Sequence, residues 1–219
     1  MTDIHSHILF GVDDGAKSID DSVRMLAAAS IAGITQIVAT PHIRSDDADI
    51  STIRKNYLKL VPYARERGID LKLGFECNTT AIAPSKFEEA KLFCFDGTSI
   101  LLLEFPFENW PPYWDRIVYG LQSAGLVIII AHPERYFPVR RDHSILDAMA
   151  DMGCYFQINA GSINKKHGEK RKIVHHIEQM DKLDFIASDA HEPIDYEVYA
   201  RIIKKYKGVN QTLDALNLD

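Results

Sequence analysis

The chain has 219 residues, of which 46% are hydrophobic and 26% are charged, as is typical of a folded globular protein. Its 25 basic and 31 acidic residues give a formal net charge of −6, which argues against nucleic-acid binding, since that binding depends on Lys and Arg neutralising phosphates. The N-terminus shows no signal-peptide pattern, and the longest apolar run, around 126–131, is too short to span a bilayer, so we expect no membrane insertion.

Seven apolar, β-branched stretches predict strands. They are continuous rather than alternating in polarity, as is typical of parallel strands that are buried on both faces. Their centres lie roughly 26 to 36 residues apart, which is about the size of one βα unit. The predicted strands lie at 2–4, 34–40, 71–75, 99–105, 126–131, 154–158 and 185–187.

Helices are predicted between these strands, and several of them end at a glycine. Ser18 followed by Asp21 indicates an N-cap with an acid at the third helical position, and near-helical apolar spacing then continues to Gly33. Glycine also follows three of the later helices, where a left-handed C-cap costs least. Those later helices are predicted at 51–67, 114–124, 144–152, 169–180 and 196–206, with a shorter one at 84–92.

The alternation of strands and helices is compatible with two α/β architectures. One is an open, doubly wound sheet, and the other is a closed barrel of TIM type with one unit missing. Chemistry at the ends of nearly all the strands favours the barrel, because an open sheet gathers its ligands at one switch point. No low-complexity linker divides the chain, so we expect one domain over 1–219, with 208–219 as a terminal tail.

Six of the seven predicted strands are followed by a histidine or a carboxylate. Residues i and i+2 of an extended chain point the same way, so His5 and His7 can bind one ion, as can Asp189 and His191. Imidazole and carboxylate ligands without thiolate favour Mn²⁺, Fe²⁺ or Zn²⁺, and about nine candidates are enough for two or three ions. The remaining residues of this kind are Asp13, Asp14, His42, Glu76, Glu104 and His132.

Each of these residues also has a purely structural explanation. A lone buried histidine is more often a hydrogen-bonded core residue, and a single aspartate after a strand is more often an N-cap. That explanation requires a histidine or a carboxylate to occur by coincidence at the same end of successive strands. It also leaves charged groups buried without partners, at a cost of several kcal/mol, so the metal site is the better hypothesis.

Seven short stretches of the sequence carry a family resemblance. They lie at 3–15, 40–42, 74–76, 103–105, 130–136, 151–155 and 187–191. Together they resemble the polymerase and histidinol phosphatase (PHP) superfamily. Within it, the opening stretch and the His-Pro-Glu-Arg-Tyr stretch are most similar to the manganese-dependent protein tyrosine phosphatases encoded with bacterial capsular and exopolysaccharide genes. The resemblance implies the PHP fold, a distorted (β/α)7 TIM-like barrel, with three divalent ions, Mn²⁺ first and Fe or Zn as alternatives.

The same resemblance implies ligand sets for the three ions. The first set is His5, His7, Glu76 and Asp189. The second is Glu76 as a bridge, with Glu104 and His132. The third is His42, His191 and Asp14, with the adjacent Asp13 as the alternative to Asp14.

The resemblance also implies catalytic roles. Arg135 would hold the phosphate, and His42 or His191 would protonate the leaving oxygen. Family members often carry a second arginine shortly after the Asp-x-His motif. Here the next arginine in the chain is Arg201, which leaves open whether it replaces the missing one.

The expected reaction is hydrolysis of protein phosphotyrosine by a metal-activated hydroxide, with Arg135 as a bidentate clamp on the phosphate. The resemblance implies a bacterial tyrosine kinase with a Tyr-rich C-terminal tail as the partner. The three cysteines form no C-x-x-C pair, which favours a reducing compartment, and we expect the cytoplasm. None of them begins a Cys-x5-Arg motif, so a cysteine-dependent phosphatase is excluded.

Three alternative functions remain open. One is a small-molecule phosphomonoesterase, for example one that acts on histidinol phosphate. The second is a metal-dependent nuclease, against which the acidic charge balance argues. The third is a catalytically silent, metal-binding regulator of a tyrosine kinase.

Two further features each have two interpretations. An aromatic group after the fourth and fifth strands is more simply rim packing, but it also offers an apolar wall for a phosphotyrosine ring. The basic run at 165–172 is more simply a solvated helix start, but it also offers attraction for an acidic, phosphorylated tail. The aromatic residues are Phe105, Phe107, Trp110, Tyr113, Trp114 and Tyr136.

Overall fold

The computed structural model describes residues 1–83, 86–165, 167–206 and 208–209. Within them it has nine strands. They are β1 (Thr2–Ser6), β2 (Gln36–Ala39), β3 (His42–Ile43), β4 (Asp70–Leu73), β5 (Glu76–Asn78), β6 (Ile100–Glu104), β7 (Val127–Ala131), β8 (Tyr155–Asn159) and β9 (Phe185–Ala187). Most of the predicted tail at 208–219 lies outside the described residues.

The helices follow the predicted alternation with the strands. They are α1 (Ile19–Ile31), α2 (Ile50–Glu66), α3 (Trp114–Ser123), α4 (Phe137–Arg141), α5 (Ser144–Asp151), α6 (Ala160–Ile163), α7 (Glu169–Gln179) and α8 (Pro193–Ile203). Short 3₁₀ helices lie at Thr79–Ala81, Phe87–Phe93 and Pro133–Arg135, and the second of these replaces the described part of the helix predicted at 84–92. In the described part of the chain, every helix is too short or too polar to cross a lipid bilayer.

Two of the predicted strands are each followed by a second, short strand. The stretch predicted at 34–40 ends as β2, and the chain resumes pairing as β3 after Pro41, which has no amide hydrogen for a sheet. The stretch predicted at 71–75 ends as β4 before Gly74, where a Cβ atom would lie 2.3 Å from the ring of Phe95. The described residues therefore form nine strands where seven were predicted, because β3 and β5 lie beyond the predicted stretches.

The strands form one curved, all-parallel wall. The order is β1-β2-β4 in one sheet and β3-β5-β6-β7-β8-β9 in the other. Backbone bonds join the sheets across the interruptions, from Gly74 N–H to Ala39 O (2.8 Å) and from Glu76 N–H to Pro41 O (3.1 Å). A bridge between Ser6 and Ala190 links the first unit to the last. The predicted distorted seven-unit barrel is confirmed.

Side chains of the wall alternate between two apolar clusters. On β6, Leu101 and Leu103 belong to the larger cluster, which also contains the buried helix residues. Ile100 and Leu102 point the other way and pack with Ile129 of β7 in the smaller cluster. The smaller cluster therefore fills the interior enclosed by the strands, and it leaves the carboxyl ends of the strands for polar side chains.

Candidate metal centre

The carboxyl ends of the strands bring all nine predicted ligands into one cluster. Their ligand atoms form four overlapping groups, and within each group the atoms lie within 4.8 Å of one another. The groups are His7, Asp14, His42 and His191; His5, His7 and Asp189; His5, Glu76 and His132; and His42, Glu76 and Glu104. The sharing of residues between groups indicates a continuous site rather than separate ones.

Glu76 lies at the centre of the cluster and is fully buried. Its Oε1 atom is 2.6 Å from His132 Nε2. Its Oε2 atom is 3.3 Å from His5 Nε2 and 3.4 Å from His7 Nε2. One carboxylate thus faces three imidazoles from the ends of two strands, β1 and β7, which is the geometry expected of a bridging ligand.

Two of the clustered residues have an uncommon backbone. His132 follows β7 with a φ of 33°, and Asp189 follows β9 with a φ of 51°. Non-glycine residues rarely occupy this left-handed region, and such conformations concentrate at functional sites. Here they occur where the chain leaves the strand and the side chain joins the cluster.

Hydrogen bonds from β8 orient the imidazole and carboxylate groups. His5 Nδ1 donates to Gln157 Oε1 (2.8 Å), which leaves His5 Nε2 directed at the cluster. Gln157 in turn donates to Asn159, and Asn159 Nδ2 donates to Asp189 Oδ2 (2.6 Å). Gln157 is absent from the sequence prediction, although its position two residues before Asn159 placed it on the same strand face.

Asp13 and Asp14 are adjacent but occupy different positions. Asp13 Oδ2 accepts a hydrogen bond from His7 Nδ1 (2.8 Å), so it orients that imidazole from behind. Asp14 Oδ1 instead lies 3.3 Å from His42 Nε2 and 3.4 Å from His191 Nε2. The geometry therefore favours Asp14 as the ligand. Gly15 lets this loop close over His7, because a Cβ at that position would lie 2.0 Å from His7 O.

The electrostatics of the cluster fit a bound cation. Burial alone would lower the pKa of His5, but the carboxylates of Glu76 and Asp189 outweigh it and raise that pKa to about 9. Burial alone would raise the pKa of Glu76, but His5, His132 and His42 hold it well below its usual range. The cluster thus concentrates carboxylates that favour their ionised form, and a bound cation would balance that negative charge.

Several buried polar atoms in the cluster make no hydrogen bond with the described residues. Glu76 Oε2 and Asp189 Oδ1 are two of them. Glu76 Oε2 lies only 2.8 Å from His42 Nδ1, yet the pair is not aligned as a hydrogen bond. Leaving such atoms buried and unsatisfied is costly, and divalent ions with oxygen and imidazole ligands would satisfy them. The residues present therefore fit a metal centre.

Arg135 stands at the edge of this centre. It lies in the 3₁₀ helix after β7, and its Nη1 donates to Asp189 Oδ2 at 2.9 Å. Its guanidinium lies 4.5 Å from the centre of the Phe107 ring, and the side chain remains 31% exposed. Arg135 is thus fixed beside the cluster while one side stays open to a ligand. Arg201, the suggested substitute for a second arginine, is exposed on α8.

A second arginine beside the cluster was missed by sequence analysis. Arg44 Nη2 lies 3.3 Å from Asp14 Oδ2, and the Arg44 side chain is 58% exposed. The signal was its position two residues after His42, because alternate side chains of an extended segment share one face and Arg44 directly follows β3.

The aromatic group divides into buried and accessible members. Phe105 and Tyr136 are fully buried, and the Tyr136 hydroxyl donates to Ala131 O at 2.6 Å, so these two serve the packing of the rim. Phe107 is half-buried, with its ring 5.8 Å from that of His132. Among these aromatic residues, Phe107 therefore lies beside both the candidate metal centre and Arg135.

The cysteines are structural residues. All three are free and buried, and burial raises the pKa of Cys94 to about 11 and that of Cys154 to about 12. Burial likewise raises the pKa of Cys77. Because the thiolate is the nucleophile, such groups are poorly suited to attack a phosphate ester.

Comparison with known proteins points to one family. The family model for capsular polysaccharide synthesis, CpsB/CapC, matches residues 1–209. The putative tyrosine-protein phosphatase CapC of Staphylococcus aureus is 35% identical over 87% of this chain and 77% of its own length. The tyrosine-protein phosphatase CpsB of Streptococcus pneumoniae is 33% identical over 94% of this chain and 91% of its own length.

A solved structure agrees with these relatives. It comes from work on YwqE of Bacillus subtilis and CpsB of Streptococcus pneumoniae, described as unique metal-dependent tyrosine phosphatases. It superposes with a TM-score of 0.78 at 28% identity, covering 95% of this chain and 88% of the other. The chain described here belongs to the CpsB/CapC family of capsular polysaccharide synthesis proteins.

Proposed function

We propose that this chain is a metal-dependent protein tyrosine phosphatase. The observation that carries the proposal is the single buried cluster of imidazoles and carboxylates at the carboxyl ends of the strands, with Arg135 beside it. Relatives named as tyrosine-protein phosphatases cover most of the chain, which supports the same activity here.

Three divalent ions are the proposed cofactors, with Mn²⁺ as the first candidate and Fe or Zn as alternatives. Bound ions supply charge that neutralises the phosphate oxygens, and they lower the pKa of water toward 7. Glu76 is assigned as the shared ligand because it faces three imidazoles. The other proposed ligands are His5, His7, Asp14, His42, Glu104, His132, Asp189 and His191.

Arg135 is assigned to hold the phosphate of the substrate. Its bond to Asp189 fixes the guanidinium before the substrate arrives, so little side-chain freedom is lost on binding. N–H groups of the guanidinium can then donate to phosphate oxygens and stabilise the charge of the transferring group. Phe107, which the guanidinium covers, is assigned as the apolar surface beside the phosphotyrosine ring.

Protonation of the leaving oxygen is assigned to His191 before His42, and the imidazole that performs it would do so in place of binding an ion. Both imidazoles belong to the proposed ligand group, but the His191 side chain is 32% exposed, whereas that of His42 is 9% exposed. An exposed imidazole can exchange protons with water more readily. Because phenolate is a good leaving group, we expect this step to contribute less than the positioning of the phosphate.

The proposed substrate is the Tyr-rich C-terminal tail of a bacterial tyrosine kinase that controls capsule or exopolysaccharide synthesis. Membership of the CpsB/CapC family supports that setting. The proposed compartment is the cytoplasm, and the three free cysteines support it, since a reducing environment keeps thiols unpaired.

The test combines elemental analysis of freshly purified protein with turnover of a phosphotyrosine peptide before and after chelation. We expect bound divalent metal, loss of turnover on chelation, and recovery with Mn²⁺. Histidinol phosphate is assayed alongside, and preferential turnover of it would make the chain a small-molecule phosphatase. Full activity in demonstrably metal-free protein would refute the proposal.

A further inference from the structure

A groove lined by positively charged side chains lies directly beside the candidate metal centre. The groove, of about 480 Å³, opens at Arg135, and two more cations, Arg140 and Lys170, line it. Phe107 belongs to the same lining, together with one acid, Glu108. The groove is therefore a cationic patch on a chain whose formal net charge is −6.

Arg140 is held in place by the turn that carries Arg135. Its Nη2 donates to Arg135 O at 3.1 Å and its Nε donates to Glu134 O at 3.4 Å. Its guanidinium also lies 4.7 Å from the centre of the Phe137 ring. These contacts fix the side chain, while Nη1 makes no hydrogen bond with a residue that the structure describes.

Lys170 reaches the groove from the first turn of α7, on a different part of the chain. The side chain is half-buried, and its surroundings are predominantly positive: burial, Arg135, Lys165 and Arg140 lower its pKa, while Glu134 opposes them. Within the described ranges, neither Lys170 nor Glu108 forms an ion pair with another residue. Glu108 is exposed, and the lining thus carries three cations against this one acid.

We propose that Arg140 and Lys170 form a subsite for the carboxylate of an acidic residue flanking the phosphotyrosine. This inference rests on the proposed phosphatase function. Arg135 belongs to both the metal centre and the groove, so a phosphotyrosine held at Arg135 brings neighbouring substrate residues over the groove. This patch gives an acidic peptide a local attraction although the net charge of the chain is negative.

The unused donors of Arg140 and Lys170 suit one carboxylate. The backbone contacts of Arg140 leave Nη1, and Lys170 adds one ammonium group. Together they can donate to the two oxygens of one carboxylate. A second phosphate would also be attracted to these two cations, so a doubly phosphorylated peptide is the competing ligand in the test.

The test uses metal-loaded enzyme and two phosphotyrosine peptides that differ only in flanking residues, glutamate in one and glutamine in the other. We expect native enzyme to prefer the glutamate peptide roughly fivefold in kcat/KM, mainly through KM. Lys170→Met should remove the preference and leave turnover of p-nitrophenyl phosphate unchanged. Arg140→Gln should weaken the same preference.

Lys172→Met is the matched control. Lys172 loses the same charge two residues along α7, but it is exposed and its ammonium pairs with Glu169, so the preference should persist in this variant. Equal turnover of both peptides by native enzyme would overturn the inference, as would a preference that survives in Lys170→Met. A third peptide carries a second phosphotyrosine in place of the flanking glutamate. If native enzyme prefers this peptide but shows no preference for glutamate over glutamine, the carboxylate assignment is wrong.

Failure of the proposed phosphatase function gives a different result, because neither peptide nor p-nitrophenyl phosphate would then be hydrolysed. Fluorescence anisotropy with labelled versions of the same peptides then decides the subsite. Tighter binding of the glutamate peptide that is lost in Lys170→Met supports it, and equal binding of the two peptides overturns it.

Discussion

The interior enclosed by the strands has two halves with opposite character. On β6, Ile100 and Leu102 are buried in an apolar cluster, and the next residue on that face, Glu104, belongs to the metal centre. The side chains of the apolar half need only van der Waals packing, because they carry no polar groups. The polar half keeps Glu76 Oε2 and Asp189 Oδ1 buried without a hydrogen bond to any residue that the structure describes. The difference indicates that one half stabilises the fold, whereas the other depends on ions for its balance of charge.

The largest expected effect comes from removing charge at the centre of the polar half. Glu76→Gln keeps the size of the side chain but removes the anion that three imidazoles face. We expect kcat/KM for a phosphotyrosine peptide to fall by about a thousandfold or more, because metal charge that stabilises the transition state is lost. Bound metal, measured by elemental analysis, should fall with it. Near-native activity in this variant would contradict the bridging role.

A substitution in the apolar half should do the opposite. Leu102 is fully buried in the smaller cluster, so Leu102→Ala leaves a cavity and should lower the free energy of unfolding by about 2–5 kcal/mol. Activity per folded molecule and metal content should stay near native below the unfolding transition. Denaturant unfolding and metal analysis check the two expectations. Loss of metal from the folded variant would show that the two halves are not separable.

The third prediction concerns the group that joins the metal centre to the groove. Arg135→Lys keeps the positive charge but loses the planar fork that bonds to Asp189 and can also hold a phosphate. We expect kcat/KM to fall by about a hundredfold with metal content unchanged. Steady-state kinetics and elemental analysis distinguish this outcome from that of Glu76→Gln. A matching loss of metal would assign Arg135 to the integrity of the centre instead.

The positions of the candidate ligands were predictable because they depend only on strand geometry. Parallel strands place their carboxyl ends together, and the alternation of side chains pairs His5 with His7. The short strands β3 and β5 were not predicted, and the strand break at Gly74 that precedes β5 depends on contact with Phe95, which is distant in sequence. Supporting hydrogen bonds, such as that of Gln157, depend on side-chain conformations that hydrophobic patterns do not encode.

The smallest expected effect tests the adjacent aspartates, where sequence analysis left the choice open. Asp13→Asn removes the charged acceptor behind His7 but leaves the cluster atoms in place, so metal affinity should fall by about 10- to 100-fold. Excess Mn²⁺ should therefore restore most of the activity. Asp14→Asn removes an atom that faces His42 and His191 directly, so excess metal should restore less. Metal titration of both variants measures the difference, and equal rescue would show that the structure does not distinguish the two carboxylates in function.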